Sequence, residues 1–544
     1  MKQDLSQLVI RGIPDPWEQG IRDGWHVIDG ATLADDMTLD ADVVIVGTGA
    51  GGGVSAEILT KAGLKVILVE AGRLKSSNAF NMNEGEAYRD LYQEGATRTS
   101  KDAGVSILQG RAVGGTTVVN WTSSFRTPDQ TLEHWRDAFG VDGLAPAQMA
   151  PWFQRMEARL NISRWVMPPN ANNGVIQRGA QELGWHWDVI PRNVNGCWNI
   201  GYCGTGCPTN AKMSMLVTTL PEAMKAGATL LHSTEAATLE HDGTRVTAVN
   251  CQTIGADRVP TGRRITLRAP TIIVAGGGIN TPGLLLRSNV PDPHGRVGKR
   301  TTLHVVSCAF GVYEDEIAGY YGAPQSVYSD EFVWRDGVTG KVGYKIEALP
   351  VHPGVTSVLL DTHGERLHEE MSALPNLGVS LALMRDGFHE DNPGGAVELR
   401  DDGTPVVDYP VTDYILEGAR HSILSQVEMQ FAAGAQKVRA RHSDARFHTK
   451  WSDAKQAIEQ YTFAPNYVPL GCAHVMGGCA MGEDEKIAVT HSDGRYRHLD
   501  NLYIFDASVF PTSVGVNPQL SIYAVTARNA SLLADKLRPA TVSA

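Results

Sequence analysis

Residues 42–72 read DVVIVGTGAGGGVSAEILTKAGLKVILVEAG, and this stretch decides the fold. The apolar run Val43–Val46 predicts a strand buried on both faces, residues 54–62 predict a helix, and residues 65–69 predict a second strand. Two strands joined by a helix make a βαβ unit, which is the building block of a parallel α/β sheet.

Three glycines follow the first strand with the spacing G-x-G-x-x-G. Gly47 permits a tight turn, Gly49 lets backbone N–H groups approach a pyrophosphate, and Gly52 lets helix and strand pack closely. Glu70 closes the second strand, where a carboxylate accepts hydrogen bonds from a ribose hydroxyl. The alternative is a glycine-rich turn that binds nothing, because 57 glycines produce chance matches. The strands, the helix and the acid together favour dinucleotide binding.

The bulk composition describes a globular chain without a nucleic-acid partner. Its 544 residues are 42% hydrophobic and 20% charged, which suits a packed core, and the net charge of −12 comes without a basic cluster. The N-terminal residues lack a signal-peptide pattern, and no run of about 18 apolar residues predicts a transmembrane segment. Seven cysteines, an odd number, favour a reducing compartment. We expect a cytoplasmic protein, or one that is peripheral or co-exported with a partner subunit.

Four further blocks carry unusual combinations of glycine, histidine, acid and asparagine. They are GRAVGGTTVVNW at residues 110–121, HVMGGCAMG at residues 474–482, NLYIFDAS at residues 501–508 and PTSVGVNP at residues 511–518. With residues 42–72, these blocks resemble the glucose–methanol–choline (GMC) oxidoreductase family, including its bacterial alcohol and sugar dehydrogenases. The resemblance runs from residue 41 to the end. It implies an α/β FAD-binding Rossmann-like domain plus an α+β substrate-binding domain with an antiparallel sheet.

The glycine-rich blocks are dispersed, so we predict one domain assembled from separated segments with a second domain inserted between them. Alternation at residues 357–360 and 377–383 predicts strands of the inserted domain's sheet. The predicted limits are an N-terminal extension over 1–40, an FAD-binding domain over 41–130, 196–300 and 466–544, and a cap and substrate-binding domain over 131–195 and 301–465.

The resemblance implies that the dinucleotide is FAD, and it assigns the cofactor contacts position by position. They are Gly47, Gly49, Gly52, Glu70, Gly114, Gly115, Asn120, Ala236, Asp506 and Ala507. In some members a histidine just before the position of Asn120 carries a covalent flavin. Val119 stands there in this chain, so we expect FAD to be bound without a covalent link.

His474 and Asn517 match the family's catalytic pair, which has a His–His or a His–Asn form. Oxidation of an alcohol requires removal of the hydroxyl proton while hydride leaves the carbon for flavin N5. Imidazole, with an ordinary pKa of about 6.5, suits that proton transfer, and an asparagine amide can bind the developing alkoxide. The alternative is a buried histidine bonded to backbone and a turn asparagine. We expect oxidation of a small-molecule alcohol, with oxygen, a quinone or a cytochrome as acceptor.

Three cysteines, Cys197, Cys203 and Cys207, lie close together in a glycine-rich segment. Their spacing resembles the segment that holds a three-iron cluster in bacterial membrane-bound sugar dehydrogenase subunits of this family. That resemblance implies a 3Fe–4S cluster and an alternative function, a sugar dehydrogenase catalytic subunit that passes electrons to a haem partner with a small or cytochrome subunit. Inert thiols or a disulfide are the competing interpretations. A flavoprotein without turnover is disfavoured, since it would have no use for His474 and Asn517.

Overall fold

The computed structural model describes residues 13–538. Its centre is a six-stranded parallel sheet. The strands are, in spatial order, His26–Asp29, Thr229–His232, Val66–Val69, Val43–Val46, Thr271–Val274 and Leu502–Ile504. The predicted strands at 43–46 and 65–69 are present, and every residue of Val43–Val46 and Val66–Val69 is buried.

The helix of the βαβ unit is Ala50–Lys61, so it begins four residues earlier than the sequence predicts. Gly51, Gly52 and Gly53 lie inside its first turns, where a glycine run disfavours a helix on propensity alone. Close packing against neighbouring backbone compensates for that disadvantage. Helices Thr219–Lys225 and Gln519–Leu537 pack against this helix.

The second layer is a larger, mostly antiparallel sheet. Its strands are, in spatial order, Val105–Ile107, Leu470–Cys472, Val306–Val312, Leu377–Met384, Tyr344–Ala348, Val327–Phe332 and Asp188–Val189, with Lys437–Ala440 paired beside Val306–Val312. Helix Asp413–Ala432 packs on one face of this sheet. The opposite face carries an apolar cluster that includes Cys308, Leu381 and Leu383.

Three smaller sheets complete the strand content of the described residues. They are Thr234–His241, Val246–Ile254, Pro260–Arg268 and Met37–Asp40; then Lys299–Thr301, Gly395–Leu399 and Pro405–Asp408; and last Ile162–Arg164 with Pro191–Asn193. The remaining α-helices are Pro16–Arg22, Glu84–Leu91, Asp129–Phe139, Pro146–Arg159, Ala171–Leu183, Gly277–Arg287, Pro353–Leu359, Gly364–Ser372 and Trp451–Gln460. No helix within residues 13–538 combines the length and the apolar character needed to cross a membrane.

The strand predicted at residues 377–383 is present as Leu377–Met384, but the strand predicted at 357–360 is wrong. A helix, Pro353–Leu359, stands there instead. Proline is favourable in the first turn of a helix, and the Glu84 carboxylate accepts the backbone N–H groups of Gly354 and Val355 at 2.6 and 3.0 Å. This capping contact is tertiary, so the local alternation could not reveal it.

The strands also cross the domain limits predicted from the sequence, which stay predictions. His26–Asp29 and Met37–Asp40, within the predicted extension, are edge strands of two sheets. Val105–Ile107 and Leu470–Cys472, within the predicted FAD-binding segments, belong to the large sheet. Residues 1–12 and 539–544, the outer parts of the predicted extension and of the last FAD-binding segment, lie outside the described residues.

Candidate active site

A cavity of about 1100 Å³ extends from the carboxyl ends of the parallel strands to one face of the large sheet. Ligands of open α/β sheets bind at this end of the strands. Ten residues predicted from the sequence line it: Gly47, Gly49, Glu70, Gly115, Asn120, Ala236, His474, Asp506, Ala507 and Asn517. Gly52 and Gly114, also predicted, lie behind this wall.

The glycine-rich turn is shaped by backbone contacts. Gly47 has φ of +100°, a region that favours glycine. A Cβ on Gly52 would lie 1.9 Å from the Gly47 carbonyl oxygen, which agrees with the predicted close packing of helix and strand. The tightest approach is at Gly51, where a Cβ would lie 1.5 Å from the Phe505 carbonyl oxygen. Gly49 caps the helix without a side-chain hydrogen bond, so the first N–H groups remain for an anion.

Glu70 forms part of the cavity wall and also holds the turn. Its carboxylate accepts hydrogen bonds from the Thr48 hydroxyl at 2.7 Å and from the Gly72 N–H at 2.8 Å. The Thr48 hydroxyl in turn accepts the Gly114 N–H at 3.0 Å, which joins the two glycine-rich segments. Burial raises the pKa of Glu70, and these hydrogen bonds oppose that shift.

Asp506 ties two predicted nucleotide-binding segments together. Its carboxylate accepts the N–H of Gly277 at 2.8 Å, the hydroxyl of Thr281 at 2.5 Å and the N–H of Ser508 at 2.8 Å. Burial raises the pKa of this carboxyl. Asp506 therefore fixes the start of helix Gly277–Arg287 against the cavity.

The second glycine-rich segment lies directly on the first. A Cβ on Gly115 would lie 2.7 Å from the Gly49 Cα. The Asn120 amide nitrogen donates to Gln519 Oε1 at 2.8 Å, whereas Asn120 Oδ1 is buried without a hydrogen-bond partner among the described residues. An uncapped helix N-terminus at one place and an unpaired acceptor at another fit a dinucleotide with a flat ring that carries an N–H donor.

The large sheet brings His474 to the cavity. His474 follows strand Leu470–Cys472, and antiparallel pairing of this strand with Val306–Val312 places it beside His304. The Nδ1 atoms of the two rings are 3.1 Å apart. Burial, and after it the charge of Lys345, lowers the pKa of His474 to about 3. The imidazole is therefore neutral at ordinary pH.

Asn517 precedes helix Gln519–Leu537, and its amide is fixed by two charged residues. Lys345 Nζ donates to Asn517 Oδ1 at 2.5 Å, and Asn517 Nδ2 donates to Glu347 Oε2 at 3.2 Å. Lys345 and Glu347 form an ion pair at 2.7 Å, with side chains 1% and 0% exposed. Asn517 is thus a fixed member of a buried network and not a free turn residue.

One arm of the cavity is lined by apolar side chains. They are Val306, Cys308, Leu381 and Leu383 from the large sheet, Leu349 directly after strand Tyr344–Ala348, and Val355, Val358 and Leu359 from helix Pro353–Leu359. Val306 pairs with Leu383, and Cys308 pairs with Leu381, so neighbouring strands present a continuous apolar surface. Such a surface suits a hydrocarbon group.

The three cysteines predicted as iron ligands do not form a ligand set. Within residues 13–538 no group of three or more His, Cys, Asp or Glu side chains is arranged to hold a metal ion. Cys197, Cys203 and Cys207 are free thiols, and burial raises the pKa of Cys203, which disfavours the thiolate that iron requires. The structure therefore gives the predicted cluster no support. Lys212 connects this segment to the cavity wall, since its Nζ donates to the carbonyls of Cys203 at 2.7 Å and Asn120 at 2.9 Å.

Several residues around the site were missed from the sequence: Thr48, Gly51, His304, Lys345, Glu347 and Asp386. Asp386 accepts the N–H groups of Leu303 and His304 at 2.8 and 3.1 Å and so holds His304 in place. For two of these residues, the sequence contains a local signal. In the segment YKIEA, Lys345 and Glu347 alternate with apolar residues, which predicts two charges on one face of a strand.

Comparison with known sequences identifies related proteins. The N-terminal and C-terminal profiles of GMC oxidoreductases match residues 88–306 and 391–526. An uncharacterized GMC-type oxidoreductase of Mycobacterium tuberculosis (strain H37Rv) is 31% identical over 89% of this chain and 74% of its own length. The long-chain-alcohol oxidase FAO1 of Arabidopsis thaliana is 27% identical over 92% of this chain and 68% of its own length.

Comparison with solved structures confirms the predicted fold class. Formate oxidase of Aspergillus oryzae superimposes with a TM-score of 0.69 at 13% identity, covering 93% of this chain and all of the oxidase chain. Pyridoxine 4-oxidase from Mesorbium loti superimposes with a TM-score of 0.66 at 16% identity, covering 90% and 98% of the two chains. At these identities the likeness concerns the fold alone.

Proposed function

The chain belongs to the GMC oxidoreductase family, an FAD-dependent family that acts on alcohol-type donors, and on that premise we propose the reaction and the roles of the site residues. The proposed reaction is oxidation of a CH–OH group to an aldehyde or ketone, with His474 as base and Asn517 as its partner. One observation carries it. His474 and Asn517 line the same cavity as the nucleotide-binding turn, with a neutral imidazole and a fixed amide.

Gly47, Gly49, Glu70, Gly115, Asn120, Ala236, Asp506 and Ala507 would hold FAD along the wall, with Gly52 and Gly114 supporting the turns. When bound, FAD would supply the acceptor for the hydride that leaves the alcohol carbon with the two electrons of the oxidation. His474 takes the hydroxyl proton, so that the carbonyl product, the transferred hydride and the proton account for every atom of the CH–OH group. Asn517 donates a hydrogen bond to the oxygen as negative charge develops there.

His304 is assigned the task of fixing the tautomer of His474. A base that receives the proton at Nε2 must carry its own hydrogen on Nδ1, and that hydrogen points to His304 Nδ1 at 3.1 Å. The same hydrogen bond becomes stronger when His474 gains its second proton, because a charged donor forms the stronger bond.

An anaerobic alcohol panel tests the proposal. The purified holoenzyme is mixed with primary and secondary alcohols, and the flavin absorbance is followed in a stopped-flow instrument. We expect bleaching of the flavin with formation of one carbonyl product per flavin. A holoenzyme whose flavin keeps its absorbance with every alcohol, yet is bleached by dithionite, would overturn the proposed reaction.

We expect FAD to leave the protein intact when the protein is precipitated with acid. The reason is that Val119, a side chain without a nucleophilic atom, lines the cavity where a histidyl link would form. The measurement is chromatography and mass spectrometry of the supernatant. Yellow colour retained in the washed pellet, or nicotinamide dinucleotide in place of FAD, would contradict this prediction.

The apolar arm leads us to propose that the alcohol carries a hydrocarbon chain. The Arabidopsis relatives are named long-chain-alcohol oxidases, which supports this choice. Each buried methylene contributes about 0.8 kcal/mol, or about fourfold in affinity, so the apparent Kd should fall stepwise along a series of primary alcohols.

A polar substitution in the apolar arm should weaken the binding of long-chain alcohols and leave that of short ones unchanged. Leu349→Gln places an amide in the apolar arm, and we expect the apparent Kd of a long-chain alcohol to rise about tenfold while that of a short one is unchanged. Leu377→Gln is the matched control, because Leu377 is buried in the same apolar cluster but does not line the cavity. Equal effects of the two substitutions on the series would contradict the assignment.

We propose oxygen as the electron acceptor, because the Arabidopsis relatives of this chain are named long-chain-alcohol oxidases. The reduced enzyme is mixed with oxygen, a quinone or cytochrome c. Hydrogen peroxide equal in amount to the carbonyl product supports oxygen. Reoxidation by cytochrome c alone would favour the haem-partner alternative, for which the partner subunit stays a prediction.

A further inference from the structure

Two charged side chains of the large sheet, Lys345 and Glu347, are buried beside Asn517 and have no role in the reaction as described so far. They alternate on strand Tyr344–Ala348, so both project from the same face. In the strand register Lys345 is opposite Leu383 and Glu347 is opposite Leu381, and both leucines line the cavity. A buried ion pair is weak evidence for stability, because apolar residues of the same volume often serve as well. Stability alone therefore does not explain this ion pair, and its position beside Asn517 points to a role in the candidate active site.

The three side chains form a closed ring. Lys345 Nζ is 2.7 Å from Glu347 Oε1 and 2.5 Å from Asn517 Oδ1, and Asn517 Nδ2 is 3.2 Å from Glu347 Oε2. An ammonium only donates hydrogen bonds and a carboxylate only accepts them. The amide of Asn517 therefore has one allowed orientation, with its oxygen at Lys345 and its nitrogen at Glu347.

That orientation determines what Asn517 offers to the cavity. Nδ2 carries two hydrogens, and Glu347 takes one of them, so the second can be donated to a ligand. With the amide turned over, Asn517 would present its oxygen to an alkoxide, which would repel the developing charge. The Lys345 ammonium is itself held in place, since it stands 3.4 Å from the centroid of the Phe125 ring.

We propose that Lys345 and Glu347 are positioning residues that orient the Asn517 amide, so that one Nδ2 hydrogen points at the oxygen of the alcohol as hydride leaves. The proposal rests on the proposed function and deepens it. It explains why a pair of opposite charges is buried at this place. It also explains why the two ends of the Asn517 amide contact groups of opposite charge. Burial together with the charge of Lys345 also lowers the pKa of His474, which keeps the base unprotonated.

The test is the double variant Lys345→Met/Glu347→Met, which removes both charges and leaves no unpaired one. In anaerobic stopped-flow we expect the limiting rate of flavin reduction to fall about 10²-fold, the usual effect of one lost oxyanion donor. The apparent Kd of the alcohol should change less than about threefold, because the alcohol's affinity comes from the apolar arm. Asn517→Ala added to this variant should lower the rate no further, since the pair acts through Asn517.

The matched control is Arg439→Met/Glu370→Met, another buried ion pair of the large sheet region, at 3.0 Å with side chains 2% and 7% exposed. It should lower the melting temperature without lowering the limiting rate. A second readout does not need turnover. Binding of hexanoate, followed by perturbation of the flavin spectrum, should weaken about tenfold in the Lys345/Glu347 variant, because a carboxylate also requires a donor from Asn517.

A Lys345/Glu347 variant that reduces flavin and binds hexanoate like the wild type would overturn the inference. A further 10²-fold loss on adding Asn517→Ala would overturn it as well, because the two effects would then be independent. If no alcohol reduces the flavin of the wild-type enzyme, the proposed function is overturned instead. Hexanoate binding would still test the orientation of Asn517 in that case.

Discussion

Replacement of His474 by alanine should slow flavin reduction by alcohol about 10²–10⁴-fold, which is the usual contribution of a positioned acid–base group. The variant loses the imidazole that we propose as the acceptor of the hydroxyl proton, whereas the glycine-rich turn and Glu70, which also line the cavity, are untouched. FAD content should therefore equal that of the wild type. The measurement is the limiting rate in anaerobic stopped-flow at saturating alcohol, with the flavin-to-protein ratio recorded for each preparation.

The pH profile gives a second measure of the same group. In the proposed reaction the neutral imidazole is the active form, and burial with the charge of Lys345 lowers the pKa of His474 to about 3. The rate should rise as pH increases through about 3 and stay level above it, so no step is expected between pH 5 and 9. An unperturbed histidine would instead lose about tenfold per unit below its ordinary pKa of about 6.5.

His241→Ala is the matched control for His474→Ala. His241 is partly buried and bonded to the Ser288 carbonyl at 3.1 Å, away from the cavity. Its replacement should leave the rate of flavin reduction unchanged. A His474→Ala variant that reduces its flavin at the wild-type rate would remove His474 as the base, and His304 would then be the imidazole to test.

Replacement of Gly51 by alanine should abolish FAD retention. The new Cβ would lie 1.5 Å from the Phe505 carbonyl oxygen and 2.7 Å from its carbon, so backbone of two adjacent segments must separate. Overpacking of this kind destabilises by about 3 kcal/mol. The separation would also displace Asp506, which anchors helix Gly277–Arg287 at the cavity. We expect less than about a tenth of the wild-type flavin content and a lower melting temperature.

Gly174→Ala, within helix Ala171–Leu183, is the control for Gly51→Ala. Its Cβ would meet only Arg178 Nη1 at 3.2 Å, which is the far end of a flexible side chain and can move. Alanine also favours a helix over glycine by about 1 kcal/mol. The variant should retain FAD. Stoichiometric FAD in Gly51→Ala with an unchanged melting temperature would show that the close approach to Phe505 has no importance.

The local sequence pattern was sufficient to predict the strands at the centre of the fold. The runs Val43–Val46 and Val66–Val69 are apolar throughout because parallel strands are covered on both faces, and that property is visible in four consecutive residues. The turn between them is legible for a similar reason, since Gly47 requires a positive φ and Gly52 a missing side chain. The predicted start of the helix was four residues too late, because the three glycines in its first turns have a low helix propensity.

The candidate site was likewise predictable from the sequence only in part. His474 and Asn517 could be named from the short blocks that contain them, as could the residues that line the nucleotide end of the cavity. The partners of these two residues could not. His304 lies 170 positions before His474, and Lys345 lies 172 positions before Asn517. Contacts over such separations depend on how distant segments pack together, so the alternating charges of YKIEA do not by themselves reveal their partner.

The cysteine segment shows that spacing alone does not establish a metal site. Cys197, Cys203 and Cys207 are close in sequence, but a ligand set also requires thiolates directed at one point. Burial raises the pKa of Cys203, and the nearby Lys212 donates to backbone carbonyls of the cavity wall. The predicted cluster therefore has no support among the described residues.

By itself the sequence determined the parallel strands, the glycine-rich turn and the family, because each depends on residues that are adjacent in the chain and on backbone conformations that few residues adopt. The tertiary structure alone decided the protonation state of His474, the orientation of Asn517 and the apolar arm of the cavity. These properties arise when strands distant in sequence come together, since burial removes water from His474 and places Lys345 and Glu347 against Asn517.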